Sequence, residues 1–233
     1  EESGGCGTLT NIVKGYTGDA AVILEPTSLK LCPIQSGALT FRLTIPGKAT
    51  HAAMRWDGVS AIEKFNMINQ SIIELEKQRH SSFSVKYYES PKRVAPINIG
   101  TIKGGEWHST VPESVVVEGR FGVFPGESVS DARMAFSDHL KKVSNSDSWL
   151  KESPLILEWF EGQFESGKTD VEHSIINNLK MAYEKVNNSS AKIEGVTYGS
   201  VLRLFTNHAD IPAVLFGPGD VRLAHSANEY VEI

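Results

Sequence analysis

Apolar and polar positions in the middle of the chain have two different periodicities, one typical of strands and one typical of helices. Residues 38–45 alternate between apolar and polar side chains, which predicts a strand with one buried face. The predicted strands of this region are 38–45, 97–102, 115–121 and 155–159. Apolar residues recur at helical spacing over 57–79 and 128–143, and Asp57 is a suitable N-cap for the first helix. This order predicts an α+β domain: a four-stranded antiparallel sheet with two helices on one face.

The flanking segments follow a third pattern, which is typical of buried strands in α/β sheets. Residues 19–24 and 211–216 are short, continuous apolar runs rich in β-forming residues. Residues 171–186 have the apolar spacing of a helix, with Asp170 as the expected cap. The chain is therefore predicted to be α/β, with a domain of residues 36–162 inserted into a domain formed by 1–35 and 163–233.

Composition narrows the class of protein. Of the 233 residues, 40% are hydrophobic and 22% are charged, as in ordinary globular proteins, and the net charge of −5 argues against nucleic-acid binding. We expect no membrane association, because the sequence contains no signal peptide and no apolar run of membrane-spanning length. Cys6 and Cys32 are too few for a disulfide framework, which favours a cytoplasmic setting, although one disulfide between them stays an open alternative.

Three acidic residues, an adjacent pair and a single glutamate, carry the candidate chemistry. Glu1 and Glu2 are adjacent and precede a glycine-rich turn, where two like charges repel each other unless a cation lies between them. One carboxylate could bind a metal while the other acts as a general base; the alternative is a solvated acidic segment. Glu25 follows the predicted strand 19–24, at the end where open α/β sheets bind ligands, but it could equally be a surface residue.

Five motifs occur in a fixed order along almost the whole chain. They are Glu1-Glu2-x-x-Gly5-x-Gly7, Asp19 with Glu25-Pro26-Thr27, Gly47-x-x-x-His51, Gly104-Gly105 with Val111-Pro112, and Gly217-Pro218-Gly219 with His225-Ser226-x-Asn228-Glu229-Tyr230. In this order they resemble the acetylornithine deacetylase, succinyl-diaminopimelate desuccinylase and aminoacylase family of di-zinc amidohydrolases and peptidases. The resemblance implies an aminopeptidase-like catalytic domain with an inserted lid and dimerisation domain.

The resemblance also implies a role for each motif residue. Glu1 matches the general base, and Glu2 and His225 match ligands of one zinc ion. Glu25 matches a ligand of a second zinc ion, for which Co²⁺ or Mn²⁺ are alternatives. His51 matches the lid histidine that enters the active site of the partner subunit and stabilises the developing oxyanion.

Substrate contacts are implied at two further positions. Arg203 matches an arginine that often binds the substrate carboxylate, although a structural ion pair is an equal alternative. Ser109 stands where the family usually has Asn, and its single, shorter hydroxyl changes the expected contact. Val201 stands where the family often has Asp. Both departures lie where substrate is expected, so the sequence leaves the substrate specificity open.

The family's His-x-Asp motif and bridging aspartate precede the glutamate pair and are absent from this sequence. We therefore expect a fragment that is incomplete at both ends and inactive alone. The parent protein is predicted to be a homodimer, joined through the lid domain, that removes an N-acyl group from a small amino-acid-like substrate. The alternatives are a dipeptidase or carboxypeptidase, an aminopyrimidine deformylase, or a non-catalytic dimerising protein.

Overall fold

The computed structural model describes residues 4–84 and 86–231, which form two sheets with their helices. The strands are β1 (Ala21–Ile23), β2 (Leu31–Gln35), β3 (Gly37–Pro46), β4 (Ile97–Gly104), β5 (Ser114–Val123), β6 (Ile156–Phe164), β7 (Gly167–Lys168), β8 (Ile193–Val196) and β9 (Ala213–Leu215). The α-helices are α1 (Cys6–Val13), α2 (Ala61–Ser82), α3 (Val129–Ser146), α4 (Ser148–Glu152), α5 (Ser174–Asn187) and α6 (Leu202–His208). Short 3-10 helices cover Ala52–Asp57, Pro91–Arg93 and Val221–Leu223.

The four-stranded sheet has the order β4-β5-β3-β6, and all its pairs are antiparallel. Its central strand β3 alternates between buried and partly exposed residues at every position, because successive side chains of a strand point to opposite faces. The register of β3 and β5 runs without a break from Gly37 opposite Val123 to Pro46 opposite Ser114. We call the domain built on this sheet the lid.

Helices α2 and α3 cover one face of the lid sheet. Ile68 and Ile72 of α2 and Phe136 of α3 belong to the same apolar cluster as the inward residues of β3 and β5. The rings of Phe41 and Phe136 meet edge to face, with centroids 4.9 Å apart, an arrangement that aromatic pairs favour. The predicted α+β domain with both helices on one face is therefore confirmed.

Two predicted helix starts were wrong. Asp57 ends a 3-10 helix instead of capping α2, which begins at Ala61 after the extended residue Gly58. The hydroxyl of Ser60 caps α2 by accepting a hydrogen bond from the amide of Glu63 at 3.3 Å. The second wrong start is that of α5. This helix begins at Ser174 with His173 as its cap, three residues later than the apolar spacing predicted.

The second sheet, which we call the catalytic-domain sheet, has the order β1-β9-β2-β7, and β8 also pairs with β2. Strands β1 and β9 are parallel, with Ala21 opposite Ala213 and Ile23 opposite Leu215. Strand β2 contains Pro33, which lacks an amide hydrogen, and the register of β2 against β8 shifts between Leu31 and Ile34. The proline also explains why the apolar pattern did not predict this strand.

The two sheets are joined at a tight hinge, where the chain enters the lid at Gly37 and leaves it after Phe164. A Cβ at Gly37 would overlap the carbonyl oxygen of Phe164, so this crossing requires glycine. The guanidinium of Arg120, in β5, donates a hydrogen bond to the carbonyl oxygen of Thr197 at 2.6 Å. The hinge therefore fixes one end of the lid sheet beside the catalytic-domain sheet.

None of the helices in the described part of the chain combines the length and the apolar character needed to cross a membrane.

Candidate active site

Glu25 and His225 lie on two loops that leave the same edge of the catalytic-domain sheet. Because β1 and β9 are parallel neighbours, their carboxyl ends meet at one edge. Glu25 comes two residues after the end of β1, and Gly217 comes two residues after the end of β9. A Cβ at Gly217 would lie 2.5 Å from the carbonyl oxygen of Glu25, so the loops approach as closely as a glycine allows.

Thr27 ties the two loops together. It is 6% exposed, and its hydroxyl accepts a hydrogen bond from the amide of Gly217 at 3.1 Å. The same hydroxyl donates to the carbonyl oxygen of Lys30 at 2.8 Å. The amides of Ser28 and Leu29 donate to the carbonyl oxygens of Gly219 and Gly217, at 2.8 and 2.9 Å. This backbone network holds the Glu25 loop against the loop that leads to His225.

His225 occupies an unusual backbone conformation. Its φ angle is +59°, in the left-handed region that few residues with a side chain adopt. The carboxylate of Glu229 accepts a hydrogen bond from the amide of His225 at 3.2 Å. Glu229 therefore helps to stabilise the turn that presents the imidazole. The sequence motif includes Glu229, but it did not predict this role.

A second group of candidate residues lies at the end of the lid sheet opposite the hinge. The amide of Ala52 donates to the carbonyl oxygen of Ser109 at 2.9 Å, and a β-bridge joins His51 to Thr110. The motifs that contain His51 and Ser109 are thus neighbours, although more than fifty residues separate them along the chain. The Ser109 hydroxyl lies 2.9 Å from Nδ1 of His108, a residue to which the sequence motifs give no role.

His51 is exposed, and one hydrogen bond determines its tautomer. Its Nδ1 accepts a hydrogen bond from the amide of Ala53 at 3.1 Å, so in the neutral ring the proton is on Nε2. The outward nitrogen is therefore a hydrogen-bond donor without any need for protonation. A donor of this kind can stabilise negative charge on a carbonyl oxygen.

Arg203 lies inside the catalytic domain. It is 7% exposed, and its Nη2 donates a hydrogen bond to the carbonyl oxygen of Gly4 at 2.8 Å. The ring of Phe164 lies 5.0 Å from the guanidinium carbon, a cation–π distance. Arg203 is therefore placed next to the glycine-rich turn that follows Glu1 and Glu2 in the sequence, and the two glutamates themselves fall outside the described residues.

A cavity of about 510 Å³ lies beside the Glu25 loop. Its wall includes Thr27, Cys32 and Tyr198, together with the ion pair of Lys30 and Glu194, whose atoms are 2.8 Å apart. Burial raises the pKa of the Cys32 thiol to about 12, and the charge of Glu194 adds to the shift. Burial alone would raise the pKa of Glu194, but hydrogen bonds from Lys192 and Lys30 outweigh it and lower the pKa.

The described residues do not complete a metal site. Glu25 and His225 carry ligand types that zinc takes, but no group of three His, Cys, Asp or Glu side chains converges anywhere in residues 4–84 and 86–231. Of the three predicted ligands, the structure therefore places Glu25 and His225 on neighbouring loops, and Glu2 is outside the described residues.

Comparison with known proteins supports the resemblance to di-zinc amidohydrolases and peptidases that the motifs indicated. Residues 34–148 match the peptidase dimerisation domain family. Over its whole length the chain is 28% identical to the N-formyl-4-amino-5-aminomethyl-2-methylpyrimidine deformylase of Bacillus subtilis, of which it covers 58%. Over 92% of its length it is 22% identical to an acetylornithine deacetylase of Buchnera aphidicola, of which it covers 52%. Residues 34–148 of this chain thus form an M20-type peptidase dimerisation domain.

The fold of the whole chain agrees with the match of its dimerisation domain. An M20 family metallo-carboxypeptidase from Sulfolobus solfataricus superimposes on 98% of the chain with a TM-score of 0.70 and 15% identity. The chain covers 62% of that structure. The chain thus spans a little more than half of the length of the relatives it matches, and the predicted family and fold class are confirmed.

Two supporting residues of the site were missed in the sequence. Thr27 was part of the Glu25-Pro26-Thr27 motif, but nothing in the sequence indicated that its hydroxyl would bond to Gly217, 190 residues away. Tyr198 was not selected at all, and its hydroxyl is buried without a hydrogen-bond partner among the described residues. Burial, with a contribution from the charge of Glu25, raises the pKa of Tyr198.

Proposed function

We propose that this protein hydrolyses an amide bond and removes an N-acyl group from a small substrate, either an amino-acid-like molecule or an aminopyrimidine. The observation that carries the proposal is the meeting of the Glu25 and His225 loops at the carboxyl edge of β1 and β9. Two relatives of this chain are named as a deformylase and a deacetylase, both of which act on N-acyl groups. The deformylase is the more similar of the two, so an N-formyl aminopyrimidine is our first substrate candidate.

Metal binding is part of this proposal. We assign Glu2 and His225 to one zinc ion and Glu25 to a second, with Co²⁺ or Mn²⁺ as alternatives. Carboxylate and imidazole side chains are suitable donors for these ions. Because the described residues supply only Glu25 and His225, metal analysis of the purified full-length protein is the direct test: we expect about two zinc ions per chain.

The chemistry that we assign to the chain's own groups is proton transfer and charge stabilisation. Glu1 accepts a proton from the attacking water and delivers it to the nitrogen of the leaving amine as the carbon–nitrogen bond breaks. His51 donates a hydrogen bond from Nε2 to the carbonyl oxygen while negative charge develops there. The hydrogen bond from Ala53 to Nδ1 supports this assignment, because it keeps the proton on Nε2.

His51 is proposed to act on the active site of a second copy. Strand β3 has ten residues and runs from the hinge to the loop of His51. At about 3.3 Å per residue it spans roughly 30 Å, so His51 lies far from the hinge end of its own lid. The match to a peptidase dimerisation domain supports a homodimer that would bring the histidine to the partner. We expect the dimer to form through the lid, in a cytoplasmic setting.

A mixing experiment tests this assignment. In the full-length protein, Glu1→Gln and His51→Ala should each abolish hydrolysis of the N-formyl aminopyrimidine. When the two variants are mixed and allowed to exchange subunits, half of the dimers carry one intact site of two. Activity should then recover to about a quarter of the wild-type value.

Each outcome of the experiment is informative. No recovery would place His51 in the active site of its own subunit. Unchanged activity of His51→Ala would remove the oxyanion role. Parallel assays with N-acetylornithine and a dipeptide distinguish a deacetylase and a dipeptidase from a deformylase. A wild-type protein that hydrolyses none of the three would favour the non-catalytic dimerising protein.

A further inference from the structure

Arg203 already has two protein partners, because one donor of its guanidinium is hydrogen-bonded to the backbone and an aromatic ring lies over the group. Its Nη2 donates to the Gly4 carbonyl oxygen at 2.8 Å, and the Phe164 ring stacks at 5.0 Å. Only 7% of the residue is exposed. Its Nε is buried and has no hydrogen-bond partner among residues 4–84 and 86–231. The group therefore faces the interior of the domain.

The segment that Arg203 contacts has a backbone conformation that depends on glycine. Gly4 has a φ angle of +135° and Gly5, which precedes α1, has a φ angle of +74°. Glycine loses more conformational freedom on folding than any other residue, so this turn needs a fixed contact to keep one conformation. A hydrogen bond from a charged donor is stronger than one between neutral groups, and Arg203 supplies it.

The other side of Arg203 is anchored to the hinge of the lid. Phe164 is the last residue of β6, and Nδ2 of Asn207 in α6 donates to the carbonyl oxygen of Ser166 at 2.9 Å. His208, also in α6, lies 3.0 Å from the carboxylate of Glu165. Helix α6 thus contacts the residues that follow the lid, and Arg203, in the same helix, extends to Gly4.

We propose that Arg203 is a positioning residue, whose guanidinium fixes the Gly4 carbonyl and with it the turn that follows Glu1 and Glu2 in the sequence, instead of binding the substrate carboxylate. The inference rests on the proposed roles of the two glutamates. Gly4 follows Glu2 by two residues, so the place of its carbonyl constrains where the preceding chain can go. Burial lowers the pKa of Arg203, because its guanidinium is withdrawn from water.

The experiment compares Arg203→Gln and Arg203→Lys with the wild type in the full-length protein. Hydrogen exchange measured by mass spectrometry reports on the turn without any substrate. The amide of Leu9, which donates to the carbonyl oxygen of Gly5 at 3.0 Å, belongs to the peptide to follow. In Arg203→Gln we expect exchange in residues 5–9 to accelerate about tenfold or more. Lysine keeps a charged donor and should restore part of the protection.

Kinetics of the same variants separate the two possible roles. A positioning residue predicts a fall in kcat of about tenfold or more in Arg203→Gln, with KM changed less than about threefold. A substrate-binding arginine predicts the reverse, namely a KM that rises about tenfold with unchanged exchange in residues 5–9. The second result would overturn the proposal.

Arg133→Gln is the matched control. Arg133 also stacks on an aromatic ring, Trp159, at 5.6 Å, and it donates a hydrogen bond to Gln163 at 2.9 Å, but it lies in the lid. The Arg133→Gln variant should leave hydrogen exchange in residues 5–9 unchanged. Faster hydrogen exchange throughout the catalytic domain of Arg203→Gln would show a general loss of stability. That result would overturn the proposal that Arg203 specifically fixes the turn. If the wild type hydrolyses no substrate, the proposed function fails, while the exchange result still decides whether Arg203 holds the turn.

Discussion

The hydroxyl of Thr27 accepts a hydrogen bond from the amide of Gly217 at 3.1 Å, across 190 residues of sequence. This contact joins the loop after β1 to the loop after β9, and these loops carry Glu25 and lead to His225. A buried amide that loses its only acceptor keeps the cost of its desolvation. The spacing of the two candidate ligands therefore depends on a side chain that need not touch substrate or metal.

We expect Thr27→Val to destabilise the protein by about 1–3 kcal/mol, because valine has a similar shape but cannot accept the Gly217 hydrogen bond. Urea unfolding measures this loss. Activity should fall further than stability explains, since the Glu25 loop loosens. Thr27→Ser keeps the hydroxyl and is the control. We expect it to lose less than half of the unfolding free energy that Thr27→Val loses. Equal loss in both variants would show that the methyl group, not the hydrogen bond, matters.

Gly47 should tolerate no side chain, because a Cβ there would overlap the carbonyl oxygen of Val59 and lie 2.6 Å from that of Pro112. We expect Gly47→Ala to cost about 1–3 kcal/mol of stability through this overlap. It should also lower activity, since the displaced segment leads directly to His51. Thermal unfolding and steady-state kinetics measure the two effects. Gly100→Ala is the control, because its Cβ would meet no atom closer than 3.8 Å.

Asp147 should make stability depend on pH in the acid range. Burial would raise the pKa of its carboxyl, but hydrogen bonds from Lys64 and from the amides of Leu150 and Trp149 outweigh it and lower the pKa in the folded protein. The unfolded chain therefore takes up the proton first as the pH falls. The stabilisation from Asp147 is present above its ordinary pKa of about 3.9 and is lost progressively below it.

Asp147→Asn tests this pH dependence, because asparagine caps a helix as well as aspartate but carries no charge. The difference in unfolding free energy between wild type and variant should be largest near pH 6 and should shrink as the pH falls below about 4. Asp138→Asn, at an exposed position of α3, is the control. A difference that stays constant with pH would contradict the charge-based explanation.

The two cysteines should react very differently, although both are free thiols, so the alternative of a disulfide between them is wrong. Cys6 is exposed, whereas burial raises the pKa of Cys32 to about 12. Since the thiolate is the reactive form, iodoacetamide at pH 8 should modify one thiol of the native protein and the second only after unfolding. Cys6→Ser should then remain unlabelled; rapid labelling of that variant would show that Cys32 is accessible.

Side-chain patterning along the chain was enough to predict the lid. The alternation of 38–45 and the helical spacing of 57–79 reappear as β3 and α2, because each buries one face in a shared core. The motifs also indicated the family, since glycines and acidic residues at fixed spacing are local requirements of a turn or a ligand. Helix starts were less predictable, because Ser60 and Asp57 are both good caps and only the 3-10 helix before α2 decides between them.

The environment of each candidate residue could not be deduced from local pattern. Strand β2 escaped prediction because Pro33 interrupts its hydrogen bonding, and neighbouring strands on both sides compensate for this. Arg203 and Thr27 meet Gly4 and Gly217, 199 and 190 residues away, and no periodicity encodes such distances. Local composition determines which elements form and which chemistry they carry. The packing of distant segments determines which polar groups meet, because a buried hydrogen bond needs both partners at the same point in space.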